Sequence, residues 1–68
     1  MIRVIVNGIS FYTTKKRIKD RLVGSNSMLN EAIFLMYNSM ASNEGIGSTI
    51  VVYDSKMKRH SFDIQINR

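Results

Sequence analysis

Residues 2–13 read Ile-Arg-Val-Ile-Val-Asn-Gly-Ile-Ser-Phe-Tyr-Thr, and this stretch decides the fold. Ile2, Val4 and Val6 alternate with Arg3 and Ile5, the period of a strand with one buried face. Asn7-Gly8 follows. Both central residues of a type I′ turn take positive φ, which Asn and Gly tolerate best, so the dipeptide predicts a tight hairpin. Ile9, Phe11 and Thr13 resume the alternation. A two-residue turn then sets the register. Val6 faces Ile9, Val4 faces Phe11 and Ile2 faces Thr13 on the apolar side, while Tyr12 lies across from Arg3 and Ser10 across from Ile5 on the other.

Working outward from the hairpin, residues 15–23 predict a short basic helix. Thr14 is placed to cap it and Gly24 to end it, with Ile18 and Leu22 pointing inward together. Residues 27–42 predict the main helix, capped by Ser25, Asn26 or Ser27. Leu29, Ala32, Ile33, Met36, Tyr37 and Met40 make one helical stripe, and Gly45 and Gly47 are expected to stop the helix. Residues 48–54 and 59–67 predict a second strand pair, joined by Asp54-Ser-Lys-Met-Lys. The order β-β-α-α-β-β implies an α+β domain over residues 1–68. Its simplest architecture is an antiparallel four-stranded sheet with the helices packed on one face. Two separate hairpins around the helices are the alternative.

Composition narrows the function. The chain has 68 residues, 10 Lys+Arg against 5 Asp+Glu, a net charge of +5, one His and no Cys. Disulfides, a thiolate nucleophile and Cys-ligated zinc are excluded, and one His cannot supply a multi-histidine metal site. No cofactor or metal is expected. At 44% hydrophobic residues the chain is expected to fold. Cores of this size rarely supply more than about 3–5 kcal/mol, which points to a homodimer or to a partner that supports folding. The first apolar run stops at Asn7, short of the roughly 7–15 residues of a secretory signal. The longest, Ala32 to Tyr37, falls far below the about 20 residues of a membrane span. A cytoplasmic protein with no membrane partner is expected.

Catalysis is not expected. Asp20, Glu31, Glu44, Asp54 and Asp63 show no acid/base spacing. His60 and Ser61, adjacent in a strand, point to opposite faces. Gly45-Ile46-Gly47-Ser48 precedes a strand, whereas phosphate loops lead into a helix.

Two features carry information instead. Lys15, Lys16, Arg17, Lys19 and Arg21 form one basic cluster, and Lys56, Lys58 and Arg59 form a second beside His60. Clustered cations neutralise phosphates and release counterions, so these residues are candidate nucleic-acid contacts. Arg3 and Tyr12 are further candidates, since aromatics on a sheet stack unpaired bases. The simpler alternatives are a solvated charged surface and an ordinary cross-strand pair. The other feature is an apolar excess on the main helix. Met28, Phe34, Leu35 and Met40 are candidates for a protein interface, or for burial if the sheet wraps the helix.

The short, basic, cysteine-free chain, which contains Lys, Asn, Ile and Ser, resembles in composition the small accessory proteins of large tailed bacteriophages. That resemblance implies binding to a host enzyme, toxin or nucleic acid, in the host cytoplasm. The expected function is non-enzymatic nucleic-acid binding, with RNA favoured over DNA. The alternative is a small inhibitor or adaptor whose basic surface meets an acidic host protein, such as a nuclease or an RNA-cleaving toxin.

Overall fold

The computed structural model describes residues 1–39 and 45–67. In chain order it holds β1 (Ile2–Val6), β2 (Ile9–Thr13), α1 (Lys15–Lys19), α2 (Ser27–Asn38), β3 (Ile46–Tyr53) and β4 (Arg59–Asn67). The strands form one four-stranded antiparallel sheet in the order β2-β1-β4-β3. The domain is α+β with the expected element order. Separate hairpins are excluded, because β1 pairs directly with β4 from Arg3↔Asn67 to Val6↔Ile64.

The first hairpin follows the sequence rule in full. Asn7 has φ 49° and Gly8 has φ 86°, as a type I′ turn requires. The pairs run Val6↔Ile9, Val4↔Phe11 and Ile2↔Thr13, with Arg3↔Tyr12 and Ile5↔Ser10 on the opposite face. Asn7 also ties the turn to β4. Its N–H donates to the Asp63 carbonyl at 2.8 Å, and its side-chain oxygen accepts from the Asp63 N–H at 2.9 Å.

One face of the sheet carries the core. Val4, Val6, Val52, Ile64 and Ile66 are buried there against Ala32, Ile33, Met36 and Tyr37 of α2 and Ile18 of α1. Fully burying an aliphatic side chain of this kind contributes about 1.5–3 kcal/mol. The α2 stripe is therefore the stripe read from the sequence. Asn26 is the N-cap, its side chain accepting from the N–H groups of Met28 and Leu29 at 3.0 and 3.2 Å. The helix ends at Asn38 with Ser39 as its C-cap, shorter than the expected 27–42. Met40, the last member of the expected stripe, lies outside the described residues.

Helix α1 departs further from expectation. Thr14 caps it, accepting from the Arg17 N–H at 3.2 Å. The helix stops at Lys19, well before Gly24, because Arg21 turns the chain at φ 57°. The Arg21 N–H donates to the Ile18 carbonyl and the Leu22 N–H to the Arg17 carbonyl, the bond pair of a Schellman stop. Arginine thus occupies the left-handed position that glycine usually fills. Leu22 is expelled as a result and is 66% exposed, while Ile18 alone anchors α1 in the core.

Strand β3 begins at Ile46, and Gly47 lies inside it, paired with Gln65, where the sequence suggested a helix stop. At the far end, Asp54 N–H donates to the Lys58 carbonyl and Met57 N–H to the Asp54 carbonyl. Met57 takes φ 62°, the left-handed residue of a short hairpin loop.

Candidate nucleic-acid interface

Both helices pack on the core face, so the other sheet face is uncovered. By strand alternation it carries Arg3, Ile5, Ser10, Tyr12, Gly47, Thr49, Val51, Tyr53, Arg59, Ser61, Asp63 and Gln65. Tyr12 and Tyr53 are 64% and 57% exposed at opposite corners of it. Between them lies a shallow depression of about 410 Å³, floored at Gly47 and walled by Ile5, Thr49, Asp63 and Gln65. Thr49 Oγ1 donates to Asp63 Oδ1 at 2.7 Å on this face.

The first basic cluster sits next to one of these corners. Tyr12 is the penultimate residue of β2, and α1 begins two residues after the strand ends. Lys15, Lys16, Arg17 and Lys19 are all exposed. Lys16 Nζ lies 4.0 Å from Asp20, whereas Lys15, Arg17 and Lys19 pair with no carboxylate of the described residues. Arg21 has a different setting. Its Nε donates to Glu31 Oε2 at 2.9 Å, and its guanidinium lies 3.7 Å from the Phe34 ring centroid. Arg21 therefore fastens α1 to α2, and its cation–π contact half-covers Phe34.

The second cluster stands elsewhere. Lys56 and Lys58 occupy the tip of the β3–β4 hairpin, on the opposite sheet edge from β2 and at the other end of the strands. Strand spacing and rise place the two clusters about 30 Å apart. Arg59 shares the open face with Arg3, beside Tyr53 rather than Tyr12. The structure thus puts Arg3 and Tyr12 on the open face at the corner from which β2 leads into α1, and leaves Lys56, Lys58 and Arg59 at another.

Of the candidate interface residues, Met28 is half-buried against the core and Leu35 is 44% exposed. Asn30 carries no signal in the sequence. It is buried, and its side chain accepts from the Gly24 N–H and donates to the Gly24 carbonyl, both at 2.8 Å. That pair locks the α1–α2 connection.

Sequence spacing alone does not pair Asp54 with His60. Asp54 Oδ2 lies 3.0 Å from His60 Nε2, and Oδ1 accepts from the Lys56 and Lys58 N–H groups at 2.8 and 2.9 Å. An aspartate that opens a turn and bonds the N–H two residues on is a recognisable signal. The imidazole contact needs the hairpin register. The His60 hydrogen bond, then the loop N–H groups, lower the Asp54 pKa below its ordinary value. A lowered acid pKa stabilises the fold fully above the unfolded value, and the gain is lost as pH falls through the folded value. Asp54→Asn keeps an oxygen for the loop but removes the charge. It is expected to be less stable than the parent at neutral pH, with the gap closing below about pH 4. Urea midpoints measured from pH 7 to pH 2 check this. A gap constant with pH would reject the assignment.

Among the described residues no group of three His, Asp or Glu side chains could hold a metal ion. No helix of the described residues is long and apolar enough to cross a membrane. Comparison with protein-family models, with curated proteins and with solved structures gives no match.

Proposed function

We propose that the protein is a non-enzymatic, cytoplasmic binding module for single-stranded RNA, and that the strand docks where β2 runs into α1. One observation carries the reading: the uncovered sheet face presents Arg3 and Tyr12 at the end of β2 from which the chain runs on into α1 and its exposed cations. Lys15, Lys16, Arg17 and Lys19 neutralise phosphates. Tyr12 offers a ring for an unpaired base, and Arg3 is its neighbour for phosphate or sugar. Lys56, Lys58 and Arg59 act at a distance, raising the encounter rate. Arg21 holds α1 in place.

Fluorescence anisotropy with labelled single-stranded RNA, single-stranded DNA and duplex DNA tests this across salt concentrations. Single-stranded RNA is expected to bind tightest, with a log–log salt slope of about −3 for four neutralised phosphates. Equal, weak binding of all three, at the non-specific level of about 10⁻⁴–10⁻⁶ M, overturns it.

A second reading rests on the 44% exposure of Leu35 and the 66% exposure of Leu22, both on the helical side. The protein is then an adaptor or inhibitor steered to an acidic host protein, and a nuclease-resistant complex in a host-lysate pull-down supports it.

A further inference from the structure

We infer that two copies of this chain pair through β3, antiparallel about a two-fold axis at Ile50, with Tyr53 of each copy seated over Gly47 of the other. Antiparallel pairing alternates residues that exchange both backbone hydrogen bonds with residues that exchange none. The Asp54 N–H bond to the Lys58 carbonyl fixes the phase of that alternation on β3. Val52, Ile50, Ser48 and Ile46 therefore bond to β4. The N–H and C=O groups of Gly47, Thr49, Val51 and Tyr53 point away from the sheet at its edge. The Asn7 N–H bond to the Asp63 carbonyl gives the complementary phase on β4, where the odd-numbered residues serve β1.

Among the described residues this edge has none of the usual protection. Exposed edge strands are blunted by charges, proline, bulges or short length. The β3 sequence Ile-Gly-Ser-Thr-Ile-Val-Val-Tyr is eight residues long, contains no charge or proline, and pairs with β4 without interruption. The other edge strand, β2, has five residues and runs directly into α1.

Self-pairing centred on Ile50 matches Gly47 with Tyr53 and Thr49 with Val51, so all the outward backbone groups are satisfied. It also explains the glycine. Gly47 does not take positive φ, and a Cβ there would meet Gln65 Cγ at 3.4 Å, an ordinary contact. Among the described residues of one copy nothing calls for glycine there. The missing side chain instead floors the open-face depression of about 410 Å³, and an aromatic cross-strand neighbour covers such a glycine. The exposed Tyr53 of the second copy supplies the ring. On the core face, Ile50 meets Ile50 and Val52 meets Ser48.

Sedimentation equilibrium of the full chain without nucleic acid tests the pairing, beside Val51→Lys, which puts a charge on the edge. The parent is expected to dimerise, and Val51→Lys to weaken the dimer at least about tenfold while circular dichroism shows it folded. Ile50→Cys keeps the test independent of that variant. The parent has no Cys, and the axis would hold the two Cα atoms about 4.5 Å apart, within disulfide range. Ile50→Cys should then oxidise to a covalent dimer, whereas Val52→Cys, about 13 Å from its own copy, should not. A monomeric parent at about 200 μM, a dimer unaffected by Val51→Lys, or equal crosslinking of both cysteines overturns the proposal.

Discussion

Ile33→Ala is expected to leave much of the protein unfolded at 25 °C. Ile33 is fully buried at the middle of α2, against the sheet face that carries the core. Truncating such a residue removes its transfer energy and leaves a cavity, together about 2–5 kcal/mol. A domain of this size holds about 3–5 kcal/mol in total, so one substitution takes most of it. Leu22→Ala is the matched comparison. Leu22 is 66% exposed beyond the Schellman stop, and its loss should change stability by less than about 0.5 kcal/mol. Urea unfolding followed by circular dichroism separates the two. Similar midpoint shifts would mean that the core does not lie under α2.

The second large effect is on binding. Replacing Lys15, Lys16 and Arg17 together with Glu lowers the net charge by six, from +5 to −1. Affinity for single-stranded RNA should fall at least about 100-fold at physiological salt, and the log–log salt slope should flatten by about 2. The fold should survive, because all three side chains are exposed and acidic residues suit the first turn of a helix. Lys56→Glu with Lys58→Glu changes charge at the distant hairpin tip and should cost less than about fivefold, mostly in association rate. An equal loss from both sets would reduce the α1 corner to one part of a diffuse field.

What the sequence reveals here is what neighbours along the chain decide. Asn7-Gly8 forces a turn of known geometry, and every pair of the first hairpin follows from it. The apolar spacing of α2 likewise names its buried side. Helix α1 shows the opposite case. Nothing local to Arg21 announces a helix stop, since its φ of 57° is held against Glu31 and Phe34 of the other helix. The glycine rule therefore points to Gly24, and the apolar spacing turns Leu22 inward. Gly47 resembles a breaker for a related reason: a glycine inside a strand and a glycine after a helix look alike until the pairing with Gln65 is known. The candidate site divides along the same line. The cations were visible as residue types, but their separation follows from strand order. That order places α1 beside one edge and the Lys56–Lys58 loop beyond the other.

The sheet order β2-β1-β4-β3 has a consequence for how the protein is made. Its two central strands are the first and the last in the sequence, Ile2–Val6 and Arg59–Asn67. During synthesis, β1 and its hairpin emerge early but have only each other to pair with, and an isolated hairpin is marginal in water. The bond ladder that unites the sheet closes only when β4 arrives, across a loop that spans nearly the whole chain. Folding is therefore a single late event with long-range contacts, slower than for a helical domain of equal length. Until β4 is available, the apolar stripe of α2 has no complete surface to cover it, and a chain cut short before Arg59 has no native state to reach.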